Sequence, residues 1–218
     1  MGEHIHSYFK ILVFGITLTI LPLRSSAQDL ESKVTEPIKI QRINGPVTLD
    51  GMSDEAAWEG IEPLPVVMHV PTFGNEPTEK TEFLIAYDDE YLYVAGRLYD
   101  SDPSKIQSTT KQRDTYNLTM DRFGVVIDTF NDNENSLGFV TTPAGLRTDF
   151  AISNDAQGTG ARSISWNTFW DVASVQNDDG WFAEMRIPFS SLRFQERDER
   201  VVMGLIVWRW IPHKNELV

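Results

Sequence analysis

Two strand-like runs joined by three acidic residues constrain this chain most. They are Glu82-Phe83-Leu84-Ile85-Ala86-Tyr87 and Tyr91-Leu92-Tyr93-Val94-Ala95-Gly96-Arg97-Leu98-Tyr99, both rich in apolar and aromatic residues. In the second run Leu92, Val94 and Leu98 fall on one face, and Tyr91, Tyr93, Arg97 and Tyr99 on the other, which is the period of a strand. Asp88-Asp89-Glu90 supplies the turn that pairs the two. Further short strands are expected near 123–128, 137–142, 146–152, 169–176, 181–187 and 201–209. Long helical periodicity is missing, although Pro188-Phe189-Ser190-Ser191-Leu192 suits one helical turn. Many short strands at this spacing predict an all-β fold, an antiparallel β-sandwich of immunoglobulin-like or jelly-roll-like type with one or two short helical turns.

The strand pattern begins only after residue 37. Lys10 precedes an apolar run from Ile11 to Leu21, which Pro22 ends; Ser25 and Ala27 then place small residues at the −3 and −1 positions of a cut before Gln28. Such a segment reads as an export signal over 1–27, too short for a membrane span of about 20 residues. Residues 28–37 are polar and aperiodic and read as a linker. The expected location is the periplasm or outer membrane of a Gram-negative bacterium. The formal charge is −13 and the chain has no Cys. That excludes a disulfide framework and a thiolate metal site. It also argues against nucleic acid or anionic lipid heads as partners.

Two local motifs add detail. In Leu49-Asp50-Gly51-Met52-Ser53-Asp54-Glu55-Ala56-Ala57-Trp58, Asp50-Gly51 is turn chemistry, and Asp54 is placed to cap a helical turn that drops Trp58 onto a core. Trp181 opens a strand whose Ala183, Met185 and Ile187 share one face, and is also expected in the core. Glu184 on the opposite face is expected to pair with Arg186 or Arg209.

The block Leu49–Trp58, followed by Ala86-Tyr87-Asp88-Asp89-Glu90-Tyr91-Leu92-Tyr93-Val94, resembles the entry segment of the carbohydrate-binding module family 9-like domain. Asp121-Arg122-Phe123-Gly124-Val125-Val126-Ile127-Asp128, Gly180–Phe189 and Gly204–Arg209 extend the resemblance in order and spacing. It implies a non-catalytic sugar-binding β-sandwich over 38–218, linked to polysaccharide catabolism. In the family's sugar-binding members a clamp Trp stands three residues before the Asp that matches Asp121, so the clamp position here is Leu118. A second clamp Trp belongs to a strand beyond Val218. The text Trp208-Arg209-Trp210-Ile211-Pro212-His213-Lys214-Asn215-Glu216 resembles exported proteins in which an outer-membrane β-barrel follows. By that resemblance the domain lacks a C-terminal part, and membrane contact comes only through a signal anchor or a missing C-terminal barrel.

Sugar rings stack flat C–H faces on aromatic side chains while their hydroxyls need polar partners. The platforms expected are Tyr116, Trp166, Phe169 and Trp170, with Asp121 and Arg122 as polar partners for an oligo- or polysaccharide. Asp128-Thr129-Phe130-Asn131-Asp132-Asn133-Glu134-Asn135 is rich in oxygen donors, and Asp128, Asp132 and Glu134 are the expected ligands of a Ca²⁺ ion; a solvated Asn/Asp turn is the alternative. Asp100, Asp102 and Asp121 form a second acidic set at strand ends. No HExxH, GxSxG or P-loop motif is present. Three readings stand: a carbohydrate-binding module, a periplasmic structural or interaction domain of a barrel protein with a degenerate sugar site, and part of an O-glycosyl hydrolase.

Overall fold

The computed structural model describes residues 37–218 apart from Tyr116, Arg197 and Glu199. The signal segment and most of the linker therefore lie outside the described residues. The rest is a sandwich of two sheets. Sheet A orders five strands as β1 (Gln41–Arg42), β2 (Thr81–Tyr87), β3 (Tyr91–Tyr99), β9 (Gly180–Pro188) and β8 (Asp171–Asn177). Sheet B orders six as β11 (Glu216–Leu217), β10 (Gly204–Ile211), β4 (Arg122–Asp128), β5 (Ser136–Thr141), β6 (Thr148–Ile152) and β7 (Arg162–Ser163). All pairings are antiparallel except β1 with β2. Helical residues among those described are confined to single 3-10 turns, one of them at Phe189–Ser191, where one was expected.

The alternation explains the layers. Phe83, Val94, Leu98, Trp181 and Met185 of sheet A face Phe123, Val125, Ile127 and Phe139 of sheet B in one buried core. Phe83 and Phe123 stack across it with centroids 5.4 Å apart. The other face of sheet A is also covered. Leu84, Ala86, Tyr93 and Ala95 pack against Ile43, Ala57 and Trp58, brought over by the segment after β1. β3 is buried on both sides, and this is why Leu92–Gly96 reads as a nearly unbroken apolar run.

The outer face of sheet B is paved differently. Trp208 lies over Gly124, where an added Cβ would come within 2.6 Å of the indole. Phe150 lies over Gly138 in the same way. The ring fills the space the absent side chain leaves.

The turns match their sequence signals. Asp88 accepts from the backbone N–H of Glu90 (2.7 Å) and Tyr91 (2.7 Å) and from the Tyr93 hydroxyl (2.8 Å), closing the β2–β3 hairpin. Asp50 caps the Met52 N–H at 2.9 Å, and Gly51 takes φ +100°. Two expectations are corrected here. Asp54 caps nothing: the turn Ala56–Trp58 starts from Glu55 without a side-chain cap, and the Glu55 carboxylate accepts from Thr48 N–H at 2.7 Å instead. Glu184 pairs with neither arginine. It points to the outer face of sheet A, where its carboxylate accepts from Gly51 N–H (2.9 Å), Asp50 N–H (3.2 Å) and Trp58 Nε1–H (3.1 Å). One buried carboxylate thus ties the covering segment to β9. The strand expected over 201–209 is second from the sheet edge. β4 lies on one side, and the final residues return on the other, with Arg209 and Val218 exchanging two 3.0 Å backbone bonds.

Burial acts to raise the Glu184 pKa, only partly opposed by the Gly51 and Asp50 N–H groups. The fold therefore holds the proton more tightly than the unfolded chain does. Its contribution to stability is full below the unfolded value, about 4.3, and falls as pH rises through the higher folded value. A carboxyl-carbon NMR titration is expected to place the Glu184 midpoint above that unfolded value. A midpoint at or below it refutes the burial argument.

Candidate functional site

β10 presents its side chains to two surroundings. Arg209 turns into the interior and is fully buried, whereas Trp208 and Trp210 sit on the outer face. The Arg122 guanidinium lies under both rings, 5.6 Å and 6.0 Å from their centroids, a cation–π arrangement that holds the indoles in place. Trp210 Nε1–H donates to the Leu118 carbonyl at 2.8 Å and so fixes the loop before β4. The turn Pro212–Lys214, closed by Asn215 in the left-handed region, brings the chain back beside it. Between these pieces opens a cleft of about 410 Å³ lined by Gln107, Leu118, Thr119, Trp210, Pro212, His213 and Asn215. Leu118 is 71% exposed at its rim.

A buried polar cluster borders the cleft through His213 and Gln107. Asp121 is fully buried; its Oδ2 accepts from Gln107 N–H at 2.8 Å, and Asp121 N–H donates back to the Gln107 carbonyl at 2.9 Å. Burial pushes the Asp121 carboxyl up to about 6. Asp100, just past the end of β3, lies 3.6 Å from His213 Nε2 and 3.7 Å from the Arg209 guanidinium. Arg209 donates to Thr81 Oγ1 at 3.0 Å, and burial pushes it down to about 10 against the pull of Asp100, Asp121, Glu79 and Glu216.

The residues expected from sequence distribute unevenly. Asp121 and Arg122 lie beneath the cleft: Asp121 is closed off from solvent, and Arg122 supports the tryptophans from behind. Tyr116 lies outside the described residues, two positions before Leu118. Trp166 is half-buried against Phe139, with ring centroids 6.2 Å apart. Trp170 is 2% exposed, its ring closed edge-on against Phe139 at 5.3 Å, and it offers no face to a sugar. Phe169, 88% exposed, belongs to a different groove with Arg113, Arg147, Asn167 and Thr168. Asp128, Asp132 and Glu134 do not converge as Ca²⁺ ligands. Both Asp128 oxygens accept backbone N–H groups of Phe130, Asp132 and Asn133, and Asp132 accepts those of Glu134 and Asn135. The carboxylates are used to build the turn. Among the described residues, the acidic and histidine side chains whose donor atoms come together are Asp100, Asp121 and His213.

Trp210 and His213 were missed as site residues by sequence reasoning. The alternation Trp208-Arg209-Trp210 within an otherwise apolar strand was the available signal, since it puts one charged residue inside and two indoles outside.

The model of the carbohydrate family 9 binding domain-like family matches residues 49–209. The chain belongs to that family. Two solved structures share the architecture, both of a family 9 carbohydrate-binding module from Caldicellulosiruptor kristjanssonii. The one in complex with cellotriose is 18% identical, with a TM-score of 0.53, over 82% of this chain and 80% of that one. The one in complex with glucose is 19% identical, with a TM-score of 0.51, over 78% and 76%. Comparison with curated proteins finds no match.

Proposed function

We propose that this domain is a non-catalytic carbohydrate-binding module whose ligand lies in the Trp210 cleft. The observation that carries the reading is the position of the indole. The resemblance puts the family's clamp at Leu118, and Trp210 stands beside that residue, hydrogen-bonded to its carbonyl. An aromatic wall is thus supplied from β10 at the place where the clamp residue is aliphatic. A pyranose face can stack on it, while Gln107, Thr119, His213 and Asn215 offer hydroxyl partners around the rim. Tyr116, two positions before Leu118 in the sequence, is a second aromatic to test for the same ligand. The related modules hold cellotriose and glucose, so β-linked glucose oligomers are the first ligands to test.

Leu118 lacks a stacking ring, so one sandwiching partner is missing and affinity is expected to be low, with Kd at or above about 0.1 mM, about −5.5 kcal/mol. Calorimetric titration with cellotriose and xylotriose checks this. Trp210→Ala is expected to remove the heat of binding, and Trp166→Ala to leave it nearly unchanged. Binding that survives Trp210→Ala moves the site elsewhere.

A second reading is an interaction domain with a degenerate sugar site. Leu205 and Ile206 on β10 are exposed, Ile206 by 62%, which gives sheet B an apolar margin suited to a protein neighbour. Absence of heat with any saccharide favours it. Under both readings the proposed setting is outside the cytoplasm, on the strength of the segment ending at Ala27. Mass spectrometry of protein exported by a Gram-negative host is expected to find a mature N-terminus at Gln28; Met1 at the N-terminus removes this proposal.

A further inference from the structure

We propose that Asp100, Asp121 and His213 form a binding site for a divalent transition cation, with Zn²⁺ the best fit. Each residue brings one donor atom, and these atoms lie within 4.8 Å of one another. Ligand atoms on a tetrahedral ion with bonds of about 2.1 Å are about 3.4 Å apart, so the widest of these gaps has to close by up to about 1.4 Å on binding.

Each residue keeps an atom that no hydrogen bond uses; Asp100 Oδ1 accepts from Asp102 N–H at 2.9 Å, which leaves its Oδ2 open. Asp121 Oδ1, Asp100 Oδ2 and both ring nitrogens of His213 are buried without a hydrogen-bond partner, although Asp100 and Asp121 are more than nine-tenths buried. Buried carboxylate oxygens are costly to leave unmatched. Asp121 is held with its other oxygen on Gln107 N–H, which leaves Oδ1 as the open donor. Arg209 does not complete the pairing: at 3.7 Å its NH2 stands off Asp100, and its Nε and NH2 are also without a hydrogen-bond partner.

Charge points the same way. Arg209 sits in the field of Asp100, Asp121, Glu79 and Glu216. A second cation here, among the described residues, is Lys214, 2.5 Å from Glu79. Four carboxylates against a guanidinium and an ammonium leave two negative charges, which one divalent ion offsets. The donor set selects the ion class. An imidazole with two carboxylates suits Zn²⁺, whereas Ca²⁺ takes an all-oxygen shell of six to eight ligands. His213 also lines the cleft, giving an ion a path from solvent and a place for a water ligand.

The test uses the full chain, stripped with a chelator and desalted, and neither readout involves sugar. With Zn²⁺ the melting temperature is expected to rise with the logarithm of ion concentration, as for any ligand that binds the folded state. Co²⁺ is expected to give a visible ligand-field band at one equivalent. His213→Gln and Asp121→Asn should each weaken both responses by about tenfold or more. His69→Gln, at an exposed position, should keep them. Circular dichroism of the metal-free variants checks that each is folded, and His213→Gln, at a partly exposed turn, is the decisive one. No shift and no band in the wild type overturns the proposal, leaving the cluster to water and protons. So does a response that persists in His213→Gln. A Ca²⁺ response larger than that to Zn²⁺ overturns the ion class.

Discussion

Trp181→Ala is expected to cost about 3–5 kcal/mol, the largest loss of any single truncation in this domain. The indole is fully buried and lies opposite Leu98 in the β3–β9 register, in the core shared by both sheets. A void there has sheet backbone around it and cannot collapse easily. A domain of this size has about 5–15 kcal/mol in total, so the variant sits near the edge of folding. Urea melts at neutral pH measure it; a loss below about 1 kcal/mol refutes the packing argument. Trp181→Phe separates shape from polarity. Trp181 Nε1 has no hydrogen-bond partner, so the smaller ring gives up volume but strands no acceptor. Its cost should be under half that of alanine.

The second large effect is expected at Glu184. Alanine there leaves the N–H groups of Gly51 and Asp50 and the Trp58 indole N–H without their acceptor. Each buried unmet donor costs about 1–3 kcal/mol, and relief of the buried charge returns part of it, so a net loss of about 2–4 kcal/mol is expected. The loss should be local as well as global. Hydrogen exchange at Gly51 and Trp58 should quicken more than at Val94 in the central strand. Glu184→Gln does not restore the contact, because its amide nitrogen faces a donor whichever way it is turned. Equal protection at Gly51 and Val94 in Glu184→Ala refutes the tether.

The parts of this fold legible in sequence are those specified by neighbours along the chain. Leu92, Val94 and Leu98 declare one face of β3 by their spacing, and Asp88 declares its hairpin because its acceptors act within three residues. β1, β7 and β11 are two residues long, and their pairing is chosen by what lies beside them after folding. Trp166 and Trp170 both meet Phe139 of β5, yet of the two only Trp170 is fully enclosed, a difference set by neighbours brought up on folding that no local spacing announces. The oxygen-rich loop after β4 had the composition of a cation site, but its carboxylates cap their own backbone. Asp100, Asp121 and His213 stand far apart in the chain, and no spacing rule brings them together. Glu184 was placed on the correct strand with the wrong partners, since its three donors come from over 120 positions upstream.

The two rings lying over Gly124 and Gly138 bind pairs of positions into single units of inheritance. A side chain at 124 cannot appear while Trp208 covers that spot, and a smaller residue at 208 uncovers bare backbone. Neither change is tolerable first, so each pair should cross between its states only through a destabilised intermediate. Across the sequences of such domains, glycine at one strand position and an aromatic residue at its neighbour should therefore be gained and lost together.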